Sequence, residues 1–176
     1  MLEQQIPDIP WQQLTTPYGR GAAIPQLIEE ENYRQLAELI EHQGTLWQVT
    51  PWVLLILLKK LGSQDKEDVS LQEIELYLAV AQAITVDYLE PTQTVQPMQK
   101  LLDRNYLWTE NEEDDDQEWE RETPTGYEQT AFLSYYYFSY LLLQEAIPSL
   151  TAITVHNNEA ADRLAELLRL LEQLNK

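Results

Sequence analysis

Apolar residues recur three and four apart along most of this 176-residue chain, the spacing of one face of an α-helix. Leu27, Ile28, Leu36, Leu39 and Ile40 mark such a face over residues 25–43. Pro25 suits a first turn, Asn32 is placed to start a second helix within the stretch, and Gly44 to stop it. Thr50-Pro51 reads as a cap followed by proline at the first helical position. Residues 52–61 are then nearly all apolar, closed by Lys59 and Lys60 and stopped by Gly62. A helix that is apolar all round belongs in a core, and the two lysines suit the negative end of its dipole. Ser70 and Glu73 form the S-x-x-E pattern of a capping box, predicting a helix through Leu89 that Pro91 ends. Its buried face would carry Ile74, Tyr77, Leu78, Ala81 and Ile84. A shorter helix is predicted over 97–106, with Met98, Leu101 and Leu102 inward. An aromatic and aliphatic helix is predicted over 127–147, stopped by Pro148. Residues 149–156 read either as its continuation or as a short strand. Asn158 is placed to cap a last helix in which Ala160, Leu164, Leu167, Leu171 and Leu174 alternate four and three apart. That seam packs on its own domain or on a second copy, so the chain reads as a monomer or as a homodimer through the C-terminal helix.

Summed, these segments predict one all-α domain over residues 1–176, about six to seven helices, with residues 1–10 as an extended arm. Five glycines are too few for a turn-rich β fold, so no sheet larger than a hairpin is expected. The two densest apolar segments, 52–61 and 132–143, should be the most buried and should touch one another or a shared neighbour. Hydrophobic residues make up 44% of the chain, with five Trp and ten Tyr, enough to build a core rather than a disordered chain. Neither 52–58 nor 130–143 reaches the ~20 apolar residues of a membrane span. Residues 1–10 lack a basic stretch followed by an apolar one, so no secretory signal is expected. The absence of cysteine removes disulfides, thiolate catalysis and cysteine-ligated metals, and fits an expected cytoplasmic location.

Charge changes the picture of what such a domain would bind. Thirty acids against eleven bases give a net charge of −19. That disfavours nucleic-acid phosphates and anionic lipid, and leaves a protein, with a basic surface, as the expected partner. Residues 109–124 concentrate the charge, with nine acids and one arginine. The segment reads as a solvated loop, mobile or partly ordered, that contributes to partner binding, or else as a solvated insertion with no such role. Its candidate contact residues are Glu110, Glu112, Glu113, Asp114, Asp115, Asp116, Glu118 and Glu120. Trp119 reads either as an aromatic anchor for the partner or as a pin on the core. If the loop is solvated, neutralising Glu112 to Asp116 should leave stability unchanged or slightly raised.

Catalytic chemistry finds no pattern. Gly19-Arg20-Gly21 lacks the third glycine and the preceding strand of a dinucleotide loop. Asp114, Asp116, Glu118 and Glu120 alternate as calcium ligands can, but the glycine and final glutamate positions of such a loop fall on Trp119 and Thr125. His42 and His156 are the only histidines, and no G-x-S-x-G motif occurs. Tyr135, Tyr136, Tyr137 and Tyr140 could stack bases, but in so acidic a chain they read as core with an exposed phenol rim. No catalytic residue, cofactor or metal is assigned, and the chain reads as a non-enzyme.

Residues 11–52 carry a more specific pattern: Trp11-x-x-Leu14, Tyr18-Gly19, Ile24-Pro25-x-Leu27-Ile28, then His42-Gln43-Gly44-Thr45-Leu46-Trp47-x-Val49-Thr50-Pro51-Trp52. This resembles the N-terminal part of bacterial HEAT-like helical-repeat proteins, over about the first third of the chain. The resemblance implies stacked antiparallel helix pairs and a binding role, and transfers no catalytic residue. The residues themselves read as capping: His42 and Gln43 on the last carbonyls of a helix, Gly44 in the left-handed conformation, Thr45 as the next cap. A groove lined by Tyr18, His42 and Trp47 is the other reading. The expected function is a protein-interaction module, in its sharper form an acidic immunity or antitoxin-type inhibitor of a basic protein such as a nuclease toxin. The alternative is a general helical scaffold or adaptor. A hydrolase acting through unrecognised carboxylates is the third reading.

Overall fold

The apolar periodicity condenses, in a computed structural model describing residues 1–67 and 69–175, into seven α-helices among the described residues. They are α1 (Ile24–Glu29), α2 (Tyr33–Ile40), α3 (Thr50–Ser63), α4 (Leu71–Ala83), α5 (Asp115–Glu120), α6 (Gln129–Thr151) and α7 (Asn158–Leu174). Short 3-10 turns fill several connections, including Met98–Leu102 and Glu112–Asp114. The α-helices and 3-10 turns together account for about 60% of the chain. The only sheets among the described residues are two antiparallel hairpins of two-residue strands: β1 (Thr15–Thr16) with β2 (Gly19–Arg20), and β3 (Glu41–His42) with β4 (Thr45–Leu46).

The two segments predicted to be most buried are so, and they touch. α3 packs along α6, and the core runs through Trp52, Leu54, Leu57, Leu58 and Leu61 of the one and Tyr135, Phe138, Leu142 and Leu143 of the other. The pair runs in the same sense. Gln48, just before α3, donates to Tyr127 beside the start of α6, while a Cβ added at Gly62 would lie 4.0 Å from the Ser149 hydroxyl near its end. α4 packs along α7 and α2 against α4. These partners are distant in sequence, and α3 with α6 differs from the antiparallel sequence neighbours expected. The seam of α7 is spent inside the domain: Ala160, Leu164, Leu167 and Leu171 are buried, as packing on α4 and α6 requires. That removes the seam expected for a homodimer through the C-terminal helix.

Several boundaries move for local reasons. Ser70 caps α4 as predicted, accepting from the Glu73 amide at 3.1 Å, and Asn32 caps α2 by accepting from Gln35. α4 ends at Ala83, because Ile84 and Thr85 turn extended and β-branched residues disfavour a further turn. Pro148 does not stop α6; the helix continues to Thr151, burying Leu150 fully. Residues 152–156 are irregular, so neither alternative for 149–156 holds throughout. The cap of α7 is Asn157, one residue earlier than expected. The arm over 1–10 lies on the domain: Lys59 donates to the carbonyls of Leu2 and Gln4, and Glu145 accepts from the amino terminus and the Leu2 amide.

The H-Q-G-T block corrects a larger expectation. It is not a helix C-cap but the β3–β4 hairpin, with Gln43 and Gly44 both at positive φ (52° and 79°) in its two-residue turn. Such turns demand two left-handed residues because only that twist matches the flanking strands. Thr45 is a strand residue, and the Gly44 amide donates to the Glu41 carboxylate.

Candidate functional site: an aromatic and acidic face

Three short elements meet on one side of the helical core: the two hairpins and α5. Each is too short to hold its shape alone, so their side chains must fix one another. The central support is Gln48, a polar residue that is 1% exposed. Its side-chain oxygen accepts from the Thr15 amide at 3.0 Å and the Thr15 hydroxyl at 2.6 Å, and its amide donates to the Tyr106 carbonyl at 2.7 Å. Tyr127 shares a 2.6 Å hydrogen bond with Thr15. A buried amide with both ends bonded stabilises, whereas one left open would cost the full desolvation penalty. Gly126 lies against this knot at φ +85°; a Cβ there would come within 1.9 Å of the Gln48 amide nitrogen.

The acidic segment corrects the solvated-loop expectation. It forms a 3-10 turn and then α5, and two of its acids point back to the domain. Arg20, on β2, donates to Asp115 at 2.6–3.1 Å and to the carbonyls of Gln12, Thr109 and Asn111. Hydrogen bonding to Asp115 holds the guanidinium in its charged form against the cost of burial. The same guanidinium stands 5.8 Å over the Trp108 ring. Glu118 closes the other end, accepting from the Thr125 amide at 3.0 Å and from Arg121 at 2.9 Å. Burial opposes its charge, but the Thr125 and Arg121 donors prevail and hold the carboxyl below the usual glutamate range. Asp115 is thus set apart from the other acids between Glu112 and Asp116, since neutralising it would remove the partner of Arg20.

Trp119 is both pinned and 38% exposed. Its ring lies 4.8 Å from Trp108 and 6.2 Å from both Trp47 and Tyr127, in an aromatic pile that continues to Tyr135. Aromatic pairs in this range add about 0.5–1.5 kcal/mol beyond area burial. Of the other predicted contact residues, Glu110, Glu112, Glu113, Asp116 and Glu120 are exposed and Asp114 is half-buried. Tyr18, at the β1–β2 tip, is 66% exposed; its ring meets His42 edge-on at 5.7 Å and its hydroxyl lies 3.4 Å from the imidazole Nδ1. The predicted trio thus divides: Tyr18 and His42 come together, while Trp47 turns under Trp119. Trp11 sits in a 3-10 turn beside the face, and Gly19 takes φ +122° in the first hairpin.

Sequence reasoning missed Gln48 and Arg20, the two residues that assemble the face. The signal for the first was a lone glutamine inside the apolar run Leu46–Trp47–Val49. The second is one of only eleven bases in a chain of thirty acids. Among the described residues no group of three or more His, Asp or Glu stands together to hold a metal ion, and no helix is long and apolar enough to cross a membrane. No family model, curated protein or solved structure matches the chain.

Proposed function

We propose that the chain is a helical scaffold that binds another protein through the aromatic and acidic face. The observation that carries this reading is the way α5 is held: Arg20, Thr125 and the Trp119 pile fix its inner side, leaving Glu112, Glu113, Asp116 and Glu120 exposed on the segment that carries the accessible Trp119 ring. A fixed row of carboxylates around aromatic anchors suits a basic partner, because charge speeds encounter and aromatic burial slows release. The resemblance of the first third to HEAT-like helical-repeat proteins, which implies a binding role, agrees with this.

The test is to compare the protein with Glu112→Gln/Glu113→Gln/Asp116→Asn, none of which anchors the segment, against a partner recovered from the source cell and then purified. The association rate should fall severalfold and lose salt dependence. An unchanged rate at low salt would refute the role of this face. The charge of −19 also favours a second reading, an inhibitor that covers the basic cleft of a nuclease. Stoichiometric loss of the purified partner's nuclease activity would separate that from scaffolding.

A further inference from the structure

Outside the face, one carboxyl among the described residues is buried in the core. Glu73, in the first turn of α4, is 2% exposed. Its carboxylate accepts from the Tyr77 hydroxyl at 2.7 Å, and Tyr33, at the start of α2, offers a second hydroxyl. The carboxyl forms part of the wall of a half-open cavity of about 240 Å³ shared with Glu31, Tyr33, Gln64, Asp65 and Ser70. At its edge the Lys60 ammonium is clasped to Glu31, which itself holds a left-handed backbone at φ 55° in the turn between α1 and α2.

The charges around Glu73 do not match its own. Glu31 repels the ionised form and Asp65 adds a second acid to the cavity wall, while Lys60, whose charge favours the ionised form, is held by Glu31. Of the other charged groups on elements packed against α4, Arg34 and Glu38 of α2 line a separate hollow with Gln72 and Glu75, and Arg163 of α7 pairs with Glu166. Glu166 of α7 accepts from Gln82, nine residues along; Glu41 of β3 bonds the Gly44 amide; His42 lies against Tyr18; and Glu145 of α6 holds the amino terminus. Burial therefore prevails over the two tyrosine donors and Lys60, and raises the affinity of the carboxyl for its proton.

We propose that Glu73 is a proton-operated latch on the junction of α2 and α4. With the proton bound, the carboxyl is a neutral, hydrogen-bonded core group and Lys60 stays on Glu31. When the proton passes to solvent, the new negative charge draws Lys60 and water into the cavity, the Glu31 clasp opens, and the start of α2 loosens. Because the folded group binds its proton more tightly than the unfolded one, its contribution to stability is full below the ordinary glutamate range and is lost as pH rises through the folded value. α2 leads directly into β3, so the loosening reaches the hairpin that carries His42.

A carboxyl-detected NMR titration of the intact protein and of Glu73→Gln tests this without any partner. The glutamate signal missing from the variant should titrate above the surface glutamates, and the backbone amides of Tyr33, Arg34 and Gln35 should shift with the same midpoint. In Glu73→Gln that amide transition should vanish. A Glu73 signal that titrates with the surface carboxyls, or an amide transition that survives in Glu73→Gln, would overturn the latch. Should Glu73→Gln fail to fold, Tyr77→Phe serves: losing a donor to the ionised form must raise the midpoint further, and an unmoved midpoint would equally overturn it.

Discussion

Nine of the fourteen residues of α3 are buried, whereas none of the six in α5 is. Both are helices, α3 packed along α6 and α5 held beside Trp108 and Tyr127, yet different forces hold them. α3 is secured by apolar surface removed from water, spread over many contacts with no single indispensable partner. α5 is secured by a few directional bonds: Arg20 to Asp115, Thr125 and Arg121 to Glu118, and one tryptophan in an aromatic pile. The contrast suits their tasks. A core helix needs only to exclude water, while a contact surface must keep charged groups outward and still stay in place.

The largest expected effect lies in the core. Leu54→Ala removes a fully buried side chain and should cost about 2–5 kcal/mol in chemical denaturation. A smaller loss would mean that α3 can collapse around the cavity. Gly126→Ala comes next, since it joins both regions. Its positive φ and the approach of a Cβ to Gln48 predict a loss of roughly 1–3 kcal/mol and a disturbed Tyr127–Thr15 contact. If stability were kept, the Gln48 knot would not be the support described here.

Arg20→Ala separates the regions most sharply. It should cost about 1–2 kcal/mol, yet change tryptophan fluorescence strongly, because Trp108 loses its cation and α5 its anchor. A global loss as large as that of Leu54→Ala would refute the division. Glu118 gives the smallest effect. Its folded carboxyl lies below the usual range, so its contribution is present above the unfolded value and lost as pH falls through the folded one. Partial exposure limits this to under about 1 kcal/mol, seen as a flatter acid limb in Glu118→Gln. Glu73 has the opposite sign, so the two carboxyls mark the ends of one pH profile.

Where a structural signal is local, the chain itself carries it. Asn32 and Ser70 cap their helices from within three residues, and the run after Pro51 is too apolar to lie anywhere but inside. These features determined the helix-rich fold, the restriction of sheet to two small hairpins among the described residues, and the burial of α3 and α6. The hairpin at Gln43-Gly44 was misread because a left-handed glycine can end a helix or turn a strand. The choice fell to Leu46, whose amide meets Tyr136 ninety residues away and whose side chain is fully buried. Likewise nine crowded acids spell repulsion when no partner is visible in the sequence. Only the folded chain brings Arg20 to Asp115 across 95 residues and Trp119 onto Trp108, turning part of that repulsion into attachment. Helix starts and burial are written in short-range spacing and composition. Which acids anchor and which face outward depends on long-range contacts, and those exist only once the core has closed.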